Sequence, residues 1–157
     1  MQDIPTAGLA TDAYGTIRKH IETCLKTLTK RQHLAVVVTA TETINPRDPE
    51  KSFKDSCYFV TGFGNKNDWE HDYEKIALSK ASKSARTGRG AAELPPHYLL
   101  DGDTVYWGSV VLDDIVVACS GVEPYYDEMF SMWIAAAIKA EAKRYMDKYP
   151  KDRDFIE

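Results

Sequence analysis

The stretch "CSGVEPYYDE", Cys119–Glu128, gathers groups that could do chemistry onto one strand-to-helix corner. Gly121 permits close backbone approach. The helix that follows offers free N–H groups to an anion such as a carboxylate. Asp127 and Glu128 fall near its start, where the helix dipole favours negative charge. Ser120 and Tyr125 complete the constellation. Two readings stand side by side: a turn with its helix cap, and the lining of a ligand site. The carboxylates could equally meet a cation or a second subunit.

A second group is basic. Lys80, Lys83, Arg86 and Arg89 recur every three residues toward the end of a helical segment. Arginine suits bidentate recognition of a carboxylate. The alternative is a solvated face with cations well placed at a helix C-terminus, and the two lysines are expected there. Arg86 precedes the glycine-containing "TGRG" and Arg89 lies within it, and both are carried as ligand candidates.

His20, His33, His71 and His97 are the four histidines. No two have the spacing of a metal-binding helix pair, so a protein-only zinc site is not expected. His97, beside Tyr98 in the long loop "LPPHYLLDGD", is preferred as a site residue, and His71 is expected to face solvent. Tyr106, Trp107, Tyr125, Tyr126 and Trp133 could stack on a flat ligand or simply pack a core or a subunit contact. No GxSxG elbow is present. "GFGNKN" lacks the third glycine of a dinucleotide fingerprint. Cys119 abuts the corner, where carboxylates would raise a thiol's pKa, so it is expected to be buried and inert.

These residues must be held by regular elements. Tyr14, Ile17, Ile21, Cys24, Leu25 and Leu28 have helical spacing over 13–30, capped by Thr11 or Asp12. Residues 1–10 read as a loose arm. "HLAVVVTATE" (33–42) reads as a buried strand and "SCYFVTGFG" (56–64) as the next, with a proline-containing loop between them. A second helix follows from Asp68, its stripe made by Trp69, Tyr73, Ile76 and Ala77, with Gly88 as its stop. "TVYWGSVVLDDIVVACSGV" reads as a hairpin turning at Asp113–Asp114. A short extra strand near Tyr98–Leu100 would bring the count to about five. The last helix starts at Pro124, a favoured first position. It is apolar almost all round from Met129 to Ile138, which calls for cover on more than one side and predicts a homo-oligomer. The tail 151–157 is expected to be flexible. The order α-β-β-α-β-β-α gives a single α+β domain with an antiparallel sheet flanked by helices.

Length and composition narrow the function classes. The 157 residues suit one domain with a real core, and 43% hydrophobic with 28% charged residues is ordinary for a soluble protein. A net charge of −4 argues against a general nucleic-acid or anionic-membrane binder. Three widely spaced cysteines without a CxxC argue against a disulfide framework. The N-terminus has no signal-peptide pattern and no apolar run approaches the roughly 20 residues of a membrane span. The expected location is the cytoplasm.

Three stretches over roughly residues 34–146 carry a family resemblance: "DYEKIALSKASKSARTGR", "VVLDDIVVACSGV" and "DEMFSMWIAAAIKA". Together they resemble the GlcG/HbpS-like haem-binding (haem-degrading-like) family, related to the PduO C-terminal domain. Where that family commonly carries a glycine-rich "GVSGG", this chain has "ACSGVEPYYDE". The resemblance implies a profilin-like fold and homo-oligomeric assembly. It also implies a planar or anionic ligand, with haem as the named candidate cofactor and His97 or His20 as its axial ligand. Its members' activities are not uniform. The site expected from residues and resemblance together comprises Arg86, Arg89, His97, Tyr98, Ser120, Gly121, Tyr125, Asp127 and Glu128, near a subunit interface. Three functions follow: a small-molecule-binding protein, an enzyme acting on a small organic acid, and a non-catalytic assembly or adaptor protein.

Overall fold

The computed structural model describes residues 6–148 together with Asp152, Asp154 and Phe155. The chain is α+β, built on one four-stranded sheet in the order β2-β1-β4-β3, every neighbouring pair antiparallel. In chain order the elements are α1 (Thr6–Leu28), β1 (Leu34–Ala40), the single turn α2 (Phe53–Ser56), β2 (Phe59–Phe63), α3 (Tyr73–Thr87), β3 (Ser109–Leu112), β4 (Ile115–Ser120) and α4 (Pro124–Asp147). Among the described residues there are four strands rather than about five, because Pro96–Tyr98 closes into a 3-10 turn and pairs with no strand.

Both faces of the sheet are covered, which is why β1 reads as the unbroken run LAVVVTA with every residue buried. Leu34, Val36 and Val38 pack with Val117 and Cys119 beneath α1 and α4. Ala35 and Val37 pack with Val116 and Ala118 beneath α3. On that second face α3 presents Ala77, Ala81 and Ala85, one turn apart. Small side chains on both partners allow close approach between helix and sheet.

Several local signals act as their chemistry dictates. Asp113 and Asp114 take φ of 49° and 65°, the paired left-handed conformation of a two-residue hairpin turn. Gly88 ends α3 in the left-handed region, its N–H donating to Ser84 O. Pro124 opens α4.

Other elements differ from expectation. Helix α1 begins at Thr6, so Thr11 and Asp12 lie inside it, and Leu9 and Ala10 of the supposed arm are buried. Residues 1–5 of that arm lie outside the described residues. So does most of the supposed flexible tail, of which Asp152, Asp154 and Phe155 are exposed. Helix α3 starts at Tyr73 with Asp72 as its cap, accepting from Lys75 N. The preceding residues form a 3-10 turn, Lys66–Asp68, instead of extending α3. Ser52 caps the extra turn α2 inside the expected loop. Among the described residues no helix is long and apolar enough to cross a membrane.

Candidate functional site

The strand-to-helix corner is shaped by two glycines. Gly121 has φ of 148°, and a Cβ there would meet His33 O at 2.4 Å, so the corner lies directly on the start of β1. Gly108, just before β3, has φ of 140°, and a Cβ there would stand 2.8 Å from Asp127 Cβ and 3.0 Å from Lys80 Nζ. The missing side chain at Gly108 makes the gap through which α3 reaches α4.

Lys80 fills that gap. It was expected on a solvated face, yet it is 1% exposed. Its Nζ donates to Cys119 O at 2.9 Å and to Asp127 Oδ2 at 3.1 Å. The other carboxylate oxygen, Asp127 Oδ1, accepts from Val122 N at 3.2 Å, reaching back over the helix start much as a capping box does. Asp127 is therefore both a cap and one half of a buried ion pair. Its burial pushes the carboxyl up to about 6, against the opposing pull of Lys80 and the Val122 amide. Beside the pair, Ser131 Oγ donates to Gly108 O at 2.7 Å and accepts from Cys119 N at 2.9 Å, tying the corner to α4. Burial pushes the Cys119 thiol up to about 12, and Asp127 adds a smaller push the same way.

A cleft of about 320 Å³ opens over this pair. Tyr73, Ile76 and Lys80 of α3 line one wall, and Ser120, Gly121, Val122, Glu123, Pro124 and Asp127 line the other. Arg31, His71 and Tyr106 complete it. The N-cap residue Glu123 makes no side-chain capping bond, but its backbone O accepts from Tyr126 N and Asp127 N, each at 2.9 Å, and Pro124 carries no N–H.

Of the residues expected at the site, Ser120, Gly121 and Asp127 meet in this cleft. Arg86, Arg89, His97, Tyr98, Tyr125 and Glu128 do not line it. Arg86 is taken by the chain itself: its guanidinium donates to Asp103 Oδ2 at 2.9 Å and to Tyr98 O at 3.3 Å. Arg89 lies over the Tyr98 ring at 5.4 Å. Lys83, also expected in solvent, is 2% exposed and donates to Thr104 O at 2.7 Å and Tyr106 O at 3.1 Å. Ser79 Oγ accepts from Thr104 N at 2.8 Å. One face of α3 thus straps down the loop that brings Tyr106 to the cleft. Lys80, Arg31 and His71 line the cleft although nothing in the sequence pattern marks them as site residues, and Tyr106, a stacking candidate, joins them. The available signal for the burial of Lys80 was the alanine seam at 77, 81 and 85, which places its stem against the sheet.

The cleft of about 320 Å³ offers a tetrapyrrole neither of the expected axial ligands. Neither His97 nor His20 lines it. His20 lies instead in a shallow groove of about 630 Å³ between α1 and α4, with Ile17, Trp133, Ala136 and Ala137. Among the described residues no Lys or Arg that could hold propionates lines that groove. Among the described residues no cluster of three His, Cys, Asp or Glu could hold a metal ion.

No family model matches the sequence, and no curated protein matches it. Among solved structures the fold is similar to the crystal structure of the Ybr137w protein. The TM-score is 0.50 at 14% sequence identity, over 83% of this chain and 77% of that chain. At this identity the likeness is one of fold alone.

Proposed function

We propose that the chain is a small-molecule-binding protein of the GlcG/HbpS-like kind, with the profilin-like arrangement that goes with it, and that its ligand is a small organic acid held in the cleft over Lys80 and Asp127. The observation that carries this reading is the buried ion pair forming part of a cleft of ligand size. Buried charges are costly, and one left at a cleft wall marks a candidate functional site. Lys80 uses two of the three donors of an ammonium on Cys119 and Asp127. Arg31 and the start of α4 add further attraction for a carboxylate. The test is ligand-observed NMR with paired probes, acetate against acetamide and propionate against propionamide. Carboxylates bind and amides do not, and Arg31→Ala weakens the carboxylates several-fold. Equal binding of acids and amides contradicts the reading.

A catalytic version has one specific support. A carboxyl at about 6 beside a lysine is poised for proton transfer near neutral pH. Turnover of a small organic acid that survives unchanged in Asp127→Asn counts against it. For the expected homo-oligomer, the candidate contact is the α1/α4 groove lined by Ile17, His20, Trp133, Ala136 and Ala137. A second copy of the chain is the occupant proposed for it, in preference to an adaptor's partner.

A further inference from the structure

The charges lining the cleft balance. Lys80 and Arg31 bring two cations, and Asp127 and Glu123 bring two carboxylates. An arriving carboxylate leaves one negative charge in excess, beside a group that is only 2% exposed. It also competes with Asp127 for Lys80. We propose that the cleft binds its acid as an anion together with one proton, the proton settling on Asp127 as the anion takes over the charge of Lys80. This rests on the small-acid reading of the cleft.

Geometry makes Asp127 the proton acceptor. Both its oxygens are held, Oδ2 by Lys80 and Oδ1 by the Val122 amide. Only the first of these contacts is with a charge that an anion can draw away. Loss of that pull leaves a carboxylate in a buried setting, where the neutral form is favoured. The carboxyl already stands near 6 with Lys80 in place, so a proton is available from solvent at neutral pH at modest cost. No bond other than O–H is made.

The groups facing Asp127 come from every side. Lys80 comes from α3, the Cys119 thiol from β4, and Glu123 from the corner, its charge also disfavouring ionisation. Arg31, His71, Tyr73 and Tyr106 close the cleft. The Cys119 thiol stays protonated across the neutral range. His71 also lines the cleft, so the test must separate it from Asp127.

Trifluoroacetate is the probe, because it stays ionised throughout and its fluorines report binding directly. Its Kd is read by fluorine NMR from about pH 5.5 to about pH 8 in the full chain, in Arg31→Ala and in His71→Gln. Coupling to Asp127 makes the apparent Kd rise about tenfold per pH unit above about 6 and level off below it. The slope persists in His71→Gln. Asp127→Asn, if folded, binds with no slope, near the low-pH affinity of the parent. Binding that Arg31→Ala weakens but pH leaves unchanged overturns the proton coupling and spares the small-acid site. A slope lost in His71→Gln overturns the assignment to Asp127. No binding at any pH, or binding indifferent to Arg31→Ala, overturns the site and the coupling with it.

Discussion

Replacing Lys80 by Met removes the cation and keeps most of the buried stem. At 3.1 Å the Lys80–Asp127 attraction is about 5 kcal/mol for an effective dielectric of about 20. Desolvation of both groups opposes it, so the pair as a whole contributes much less. Removing one partner is different, because it strands Asp127 at 2% exposure and leaves Cys119 O without that donor. Such losses cost about 3–5 kcal/mol, or roughly 6–20 °C in Tm for a chain of this size. The cost depends on pH in a defined direction. Asp127's folded pKa, about 6, lies above its ordinary 3.8. Its contribution is thus fully present below about 3.8 and is lost as pH rises through about 6. Without Lys80 the carboxyl rises further, since Lys80 is the largest influence holding it down. The Lys80→Met deficit is therefore largest above neutral pH and shrinks on acidification to about pH 5. Urea unfolding followed by tryptophan fluorescence gives the values for Lys80→Met, Asp127→Asn and the double variant. The double variant should cost less than the sum of the two by about 1–3 kcal/mol. Additive singles, or a Lys80→Met deficit below about 1 kcal/mol at pH 8, would refute the reasoning.

Three other perturbations follow from the same geometry. Gly108→Ala puts a methyl group 2.8 Å from Asp127 Cβ at a positive φ, so it should lower urea stability and flatten the pH response assigned to Asp127. Lys83→Met leaves Thr104 O and Tyr106 O without their donor, about 1–3 kcal/mol for each if it stays buried. Hydrogen exchange should then speed up around 104–106 while β1 stays protected. Glu74 is held below the usual carboxylate range by Lys54 and Lys66, so its contribution is present above its unfolded pKa and lost as pH falls through its folded one. Glu74→Gln should therefore lose stability at neutral pH and little at acid pH, measured by urea midpoints.

Short-range chemistry was readable in the residues. The run Leu34–Ala40, the Asp113–Asp114 turn, Gly88 and Pro124 each act through neighbours a few positions away. The start of α1 was not readable, because "TAGLATD" has weak helix propensity and is ordered by packing of Leu9, Ala10 and Ala13. The site was half readable. Ser120, Gly121 and Asp127 stand together in the chain, so they stand together in the cleft. Lys80 and Lys83 misled because a helical pattern counts lysine as solvent-facing. Their acceptors lie 21 to 47 positions away, beyond any periodicity. Arg86 looked open to a ligand because its partner Asp103 sits across a long loop.

The most direct test of the cleft as the ligand site is amide chemical-shift mapping with acetate. The account predicts shifts concentrated at Ser120–Val122, Tyr106 and the Tyr73–Lys80 half of α3. Shifts confined to the α1/α4 groove around His20 and Trp133, or to the loop around Arg86 and His97, would contradict it.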